Sequence, residues 1–428
     1  MTSSFKKPRN KPARPYFSSG PVAKFKGWDA ARLTTPLLGR SHRSGPAKAC
    51  IQDMLARIRT LLRLPQDYEI ALVPGSATGA MSAAMWNFLG LSGVDVWAFD
   101  VFGARWAEDI RYALKLGNAR FFETPMGVIP PLEKADFNRD QVFVWNGTTS
   151  GLWLQNQNWI PSKRSGLTLC DATSAVLCCD LPWSLFDVTA FSFQKGFGGE
   201  AGLGVLVLSP KALEHLRTYV PSWPIPRALR LTQKGRLNEG LIFKGETLNT
   251  LSLLTLQDVC LSLDWIDKEG GLQGILKRVA RNTQALNDAL ALTPLFDFVV
   301  EAPAWRSQSS VCLTVKDESF IALSTQQKWT VLRQTAQLLE KEQVAFDILG
   351  HGVAPPCFRL WTGPTVEADD VACVMPWLAW AFESVLATEV KRLKASVRED
   401  AKTEDIDFKE NLPYNKKDDR RKGRKHVF

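Results

Sequence analysis

The stretch 191-FSFQKGFGGEAGLGVLVLSP-210 decides the fold. An apolar run ends at Gln194 and Lys195, a turn follows with Gly196, Gly198, Gly199 and Gly202, and a second apolar run leaves it. Both runs are continuously apolar, the pattern of strands covered on both faces. A lysine at the mouth of such a sheet is expensive unless it has a partner or a chemical task.

Similar runs recur upstream. YEIALVPG, VDVWAFD, ARFFET, QVFVWNG, LTLCDATSA and VTAFSF read as strands. PAKACIQDMLARIRTLL (46–62), SATGAMSAAMWNFLG and RWAEDIRYALKLG read as helices between them. Alternation of this kind predicts an α/β fold with a mainly parallel sheet and helices on both faces. Near residue 245 the texture changes. Long helices are expected over 250–266 and 271–290, strands at FDFVV, SVCLTV, VAFDIL and CFRLW, and further helices near 326–341 and 367–394. This predicts a smaller α+β C-terminal domain. The expected organisation is a basic tail at 1–14, a large domain at 15–255, a small domain at 256–390 and a charged tail at 391–428.

The 428 residues carry a formal net charge of +9 and are 45% hydrophobic. Each expected tail carries +5, so the body is close to neutral. The basicity therefore belongs to solvated ends and not to a folded groove, and nucleic-acid binding is not expected as the main role. No apolar run is read as long enough for a membrane span, and the start has no signal-like apolar segment. The eight cysteines form no CxxC pair and the four histidines no metal spacing. Reduced thiols, no metal site and a cytoplasmic location are expected.

Open parallel sheets bind ligands at the C-terminal ends of their strands. Three features converge there. In 73-VPGSATGA-80 a strand gives way to a helix whose first N–H groups can cradle a phosphate. Asp171 ends the strand LTLC. Lys195 ends a strand after one short connection. Partial desolvation lowers a lysine's pKa and makes it a nucleophile for carbonyls. A phosphate cup, an acid for a pyridinium nitrogen and a Schiff-base lysine are together the requirements of pyridoxal 5'-phosphate (PLP). Trp106, in 102-FGARW-106, can supply an aromatic face for the ring.

On 17-FSSGP-21, 41-SHRS-44, 75-GSATGA-80, FGARW, 146-NGTTSG-151, 171-DATSA-175 and 194-QKGFGGEAG-202, the chain resembles the class V branch of fold-type-I PLP-dependent aminotransferases, and within it the phosphoserine aminotransferases. The resemblance covers residues 15–390. It implies that Lys195 and Asp171 are catalytic and that Ala77, Thr78, Trp106, Thr148 (or its neighbour Thr149), Gln194, Glu246 and Thr247 bind the cofactor. Glu246 and Thr247 would reach the cofactor of a partner subunit, implying a homodimer with shared sites. His42, Arg43, His351 and Arg359 would bind substrate, with Arg359 on the α-carboxylate.

The implied reaction is 3-phosphohydroxypyruvate plus L-glutamate to O-phospho-L-serine plus 2-oxoglutarate, a ping-pong step of serine biosynthesis. 4-Phosphohydroxythreonine chemistry in pyridoxine biosynthesis is a further possibility. Commoner members carry an arginine after the late histidine, where this chain has Gly352, and an arginine in the phosphate loop, where it has GSATGA. Another cation must then complete the anion site. The rival readings are an alanine–glyoxylate or serine–pyruvate aminotransferase, which needs no phosphate pocket, a cysteine desulfurase, and a nucleic-acid-binding protein acting through its tails.

Overall fold

The computed structural model describes residues 5–155, 157–233, 236–237 and 241–410. The first half alternates as its apolar pattern requires: α1 (Gly45–Leu61), β1 (Glu69–Pro74), α2 (Ser76–Phe88), β2 (Val94–Ala98), α3 (Val101–Glu108), β3 (Ala119–Glu123), β4 (Asp140–Val144), β5 (Thr168–Asp171), β6 (Val188–Ser192) and β7 (Leu203–Leu208). These seven strands form one sheet in the order β1-β7-β6-β5-β4-β2-β3. β2 pairs in parallel with β3 and β4, β4 with β5, and β5 with β6. β7 runs antiparallel between β1 and β6. Every residue of β2, β4, β5, β6 and β7 is buried, which is why those strands read as unbroken apolar tracts.

The chain continues with α4 (Pro210–Thr218), the short pair β8 (Thr232–Gln233) and β9 (Arg236–Leu237), α5 (Leu253–Lys268) and α6 (Gly271–Ala291). Then come β10 (Phe296–Phe298), β11 (Ser310–Val315), α7 (Glu318–Ile321), α8 (Thr325–Lys341), β12 (Phe358–Trp361) and α9 (Ala368–Glu410). β10, β11 and β12 make a separate antiparallel sheet.

Four local expectations differ from the structure. VAFDIL is not a strand: Asp347 has φ +56°, which breaks extended pairing and leaves only bridges from Phe346 to Tyr16 and from Leu349 to Phe358. The domain boundary at 255/256 falls on α5, yet Leu256, Val259, Leu263 and Ile266 pack into the core of the large sheet. Conversely, Phe17 and Ala23 sit in the core built from β11, α8 and α9. Packing therefore carries α5 and the start of α6 (Leu272, Ile275) into the large unit, leaves the end of α6 (Leu286, Ala289) to the second core, and threads the N-terminal segment across both.

The stretch 1–14, expected to be solvated, is held from Phe5 onward. Lys7 pairs with Glu342 at 2.7 Å, Ala13 N–H donates to Asp370 at 2.6 Å, and Lys7 and Lys11 lie over the Trp377 ring. Finally, Ala368–Arg392 is long and apolar enough to cross a membrane, contrary to the sequence reading. Its apolar residues Val371, Val374, Leu378 and Phe382 are buried in the second core, in contact with α6 and α8.

Candidate active site

The opening stretch forms the floor of the site. Phe191, Phe193 and Phe197 are buried, and Phe193 meets Phe197 edge-on at 5.2 Å. Each such ring stabilises the fold by about 2–3 kcal/mol through burial. They fix the backbone on both sides of Lys195. Gly196 answers why glycine follows the lysine: a Cβ there would lie 2.3 Å from the carbonyl oxygen of Val176. Only a hydrogen at that position lets the lysine turn press against the 172–177 segment, which leaves the end of β5 directly after Asp171.

Lys195 is 5% exposed. Its Nζ donates to the Ser19 carbonyl and lies 5.8 Å from the Trp361 ring centroid. Burial first, and the Arg359 charge second, lower its pKa to about 7, against the opposing pull of Asp171. Near neutral pH a large fraction of this amine is uncharged and nucleophilic.

Asp171 is buried at the end of β5. Its Oδ1 accepts from Thr173 N–H at 3.0 Å and the Thr173 hydroxyl at 2.6 Å, and its Oδ2 accepts from Trp106 Nε1 at 3.2 Å. Burial raises its pKa, and these hydrogen bonds, with Lys195, oppose the rise. Trp106 is thus tied to the carboxylate by its N–H, and its ring is buried. α3, which carries it, is capped by Asp100, whose side chain accepts from Gly103 N–H at 2.8 Å. Burial lifts the Asp100 carboxyl to about 6.

The phosphate cup is formed as a helix start. Gly75 caps α2 with φ +88°, and Gly79 packs so close that a Cβ would meet the Pro74 carbonyl at 1.8 Å. Ala77 and Thr78 lie in the first turn, whose N–H groups have no intrahelical acceptor. Gln194 accepts from Val22 N–H at 3.0 Å through its backbone, and its buried Oε1 has no partner among the described residues.

The two neighbouring threonines differ. The Thr149 hydroxyl accepts from Val101 N–H at 3.0 Å and lies 3.4 Å from Asp100. The Thr148 hydroxyl donates to Ser174 Oγ at 3.0 Å, and Ser174 donates to the Asn146 carbonyl at 2.7 Å. Thr149 serves the start of α3, while Thr148 joins a polar chain through Ser174 to the Asn146 carbonyl.

Arg359 stands on β12, opposite Cys312 of β11. Its Nε is buried without a partner, and no carboxylate among the described residues pairs with it. His351 has its pKa lowered by burial, then by the charges of Arg105 and Arg359. These observations gather Lys195, Asp171, Trp106, Arg359 and His351 around one mouth.

His42, Arg43, Glu246 and Thr247 form another group. Glu246 pairs with Lys48 at 2.7 Å, and Lys48 with Arg43 holds its carboxyl below the usual range. Thr247 donates to the Asn249 carbonyl at 2.6 Å. His42 is buried with its Nε2 unpartnered, and burial with Arg43 lowers its pKa. No hydrogen bond or ion pair among the described residues joins this group to Lys195, Asp171 or Arg359. Three contributors had no assigned role from sequence: Ser19, Trp361 and Arg105. Ser19 lies within FSSGP and Arg105 within FGARW, so both sat inside motifs already singled out.

Residues 142–366 match the aminotransferase class-V family model. The phosphoserine aminotransferase of Methanosarcina mazei is 43% identical over 379 residues, 89% of this chain and 100% of that protein. Among solved structures, the phosphoserine aminotransferase of Cytophaga hutchinsonii superposes with a TM-score of 0.70 at 20% identity, covering 85% of this chain and 98% of that one. The PLP-bound phosphoserine aminotransferase of Trichomonas vaginalis gives a TM-score of 0.67 at 18% identity, covering 85% and 99%. At those identities the two structures establish the fold. The chain belongs to the class V aminotransferases and, within them, to the phosphoserine aminotransferases.

Proposed function

We propose that the chain is a PLP-dependent transaminase that moves the amino group between L-glutamate and 3-phosphohydroxypyruvate, yielding O-phospho-L-serine and 2-oxoglutarate. The observation that carries this is the meeting of a buried Lys195 with pKa about 7, a buried Asp171 and an Arg359 without a carboxylate partner among the described residues.

The residues present fit PLP. The Gln194 Oε1 is a buried polar atom lacking a partner, as expected where a polar ligand belongs. The Ala77 and Thr78 N–H groups, at the positive end of α2, suit its phosphate. Trp106 supplies an aromatic wall, and Thr148 a hydroxyl beside the ring. PLP, when bound, supplies an electron sink for the charge that develops at the substrate Cα.

The chain supplies the rest. Lys195 holds the cofactor and moves the proton at the substrate Cα, a task suited to an amine whose pKa lies near the working pH. Asp171, fixed by three hydrogen bonds, holds the proton on the ring nitrogen. Arg359 binds the α-carboxylate with a planar fork suited to that group. His42 and Arg43, with Glu246 and Thr247, act across the interface of a homodimer. Among the described residues no hydrogen bond or ion pair joins them to Lys195 within one chain, which supports that arrangement. Eight unbridged cysteines suit a reducing compartment, and we assign the enzyme to the cytoplasm.

An amino-acceptor screen with L-glutamate as donor tests the substrate. The expected order is 3-phosphohydroxypyruvate far above pyruvate and glyoxylate. Equal or better turnover of pyruvate or glyoxylate would replace this reading with the alanine- or serine-dependent one.

A further inference from the structure

Asp258 stands on α5, 1% exposed, outside every motif that marks the site. Its carboxylate accepts three hydrogen bonds. Oδ2 takes the Lys24 ammonium at 2.8 Å and the Glu200 N–H at 2.7 Å, and Oδ1 takes the Trp28 indole N–H at 2.8 Å. A buried carboxylate satisfied in this way helps any fold. What sets Asp258 apart is where its donors come from. Lys24 and Trp28 belong to the segment that carries Ser19, and Glu200 belongs to the turn that carries Lys195.

Those two stretches meet at the lysine. Lys195 Nζ donates to the Ser19 carbonyl. Just before the lysine, the Gln194 carbonyl accepts from Val22 N–H at 3.0 Å. Just beyond it the turn closes on itself: Gly198 N–H donates to the Lys195 carbonyl at 2.8 Å, and Gly199 N–H to the Phe193 carbonyl at 2.9 Å. Asp258 then ties the end of that turn back to the Ser19 segment. Lys195 is therefore bracketed by two ties between the same two stretches, one at Gln194 and one at Glu200.

α5 also grips the Ser19 segment through apolar contact. Phe25 stacks on Trp265 with ring centroids 5.0 Å apart and planes 3° from parallel. That stacking holds the segment, whereas the Asp258 carboxylate holds the segment and the lysine turn together. Its bonds to a cation and to N–H groups are of the charge-assisted kind, the stronger class.

We infer that Asp258 is a positioning residue for Lys195: it locks the Ser19 segment to the lysine turn, and so holds the Ser19 carbonyl where it directs the Lys195 amine. This rests on the transaminase reading above, in which that amine is free for part of each cycle and must still face the substrate Cα. An amine anchored through one N–H presents its remaining valences in few directions, and proton transfer depends steeply on such alignment.

The test compares wild type with Asp258→Asn, which keeps the size and one acceptor oxygen but cannot accept on both sides. Cofactor-free protein is first mixed with PLP, and uptake is followed as the visible absorbance grows. Uptake ends with Lys195 Nζ bonded to the aldehyde carbon and the aldehyde oxygen released as water, so its rate constant reports the placement of the amine without turnover. The loaded enzymes are then compared in kcat and KM for L-glutamate, and in the ratio of kcat for ordinary and Cα-deuterated L-glutamate. The uptake rate constant and kcat should each fall by about 10- to 100-fold in the variant. KM should change by less than about threefold, and the isotope ratio should rise as the proton step becomes limiting. A role in folding alone would reduce the amount of active enzyme and leave the uptake rate constant and the isotope ratio unchanged. That result, or wild-type behaviour throughout, would overturn the inference. A wild type that does not transaminate L-glutamate would instead overturn the proposed function. Should Asp258→Asn fail to fold, Trp28→Phe removes one donor, leaves the Lys24 pair intact, and is read the same way with a smaller change in the same direction.

Discussion

Asp171 accepts three hydrogen bonds from within the chain, whereas Arg359 pairs with no carboxylate among the described residues. The first belongs to the floor of the site and the second to its mouth. At the floor, the Asp171 carboxylate is satisfied in place, so its geometry is fixed before anything binds. At the mouth, cations are kept apart from acids, so their strongest interaction is reserved for a ligand. A fixed floor suits a resident cofactor, and an unpaired mouth suits anionic substrates that enter and leave each cycle.

The contrast breaks most sharply at Lys195. Lys195→Ala should lower turnover of glutamate by roughly 10⁴-fold, because it removes the amine that moves the Cα proton. A single-turnover assay with L-glutamate reads this directly, and retention within tenfold would remove Lys195 from the chemistry. Arg359→Met should lower kcat/KM by about 100-fold for phosphorylated and unphosphorylated acceptors alike, since all carry the α-carboxylate. A loss confined to the phosphorylated acceptor would move Arg359 from the α-carboxylate to the phosphate.

Trp106→Phe probes the floor more gently. The ring is kept and the N–H donated to Asp171 is lost. Burial already raises the Asp171 pKa, and this hydrogen bond opposes the rise, so its loss moves the pKa further up. Asp171 works as the carboxylate, and a higher pKa leaves less of it ionised at a given pH. The acidic limb of the pH–rate profile should therefore move to higher pH, with the deficit larger at pH 6 than at pH 8. A uniform loss across pH would assign Trp106 to packing alone.

The two regions also differ in how far the sequence disclosed them. The floor comes from strand ends: β5 closes at Asp171 and β6 leads to Lys195, so apolar tracts marked both residues by position. The mouth is assembled from segments far apart in the chain. Ser19 meets Lys195 across 176 residues, and no local periodicity records such a contact. The same limit explains VAFDIL, whose apolar content reads as a strand although Asp347 at φ +56° interrupts it. It also explains α5, whose amphipathic face cannot say which of two cores will bury it.

Thr148 and Thr149 carry the comparison to its smallest scale, because adjacent residues of the same type fall on opposite sides of it. Thr149 accepts the Val101 N–H, a donor at the start of α3 that would otherwise be buried without a partner. Thr149→Val keeps the shape and removes that acceptor, so it should cost about 1–2 kcal/mol of stability. The Thr148 hydroxyl bonds only to Ser174, which retains its own bond to the Asn146 carbonyl, so Thr148→Val should cost less than about 1 kcal/mol. Its effect should appear in PLP affinity if, as proposed above, its hydroxyl serves the cofactor. Denaturant unfolding of the cofactor-free proteins gives the first quantity, and PLP titration of the same samples gives the second. If Thr149→Val weakened PLP binding more than Thr148→Val at equal stability, the hydroxyl serving the cofactor would be Thr149, and the start of α3 would belong to the site and not to its scaffold.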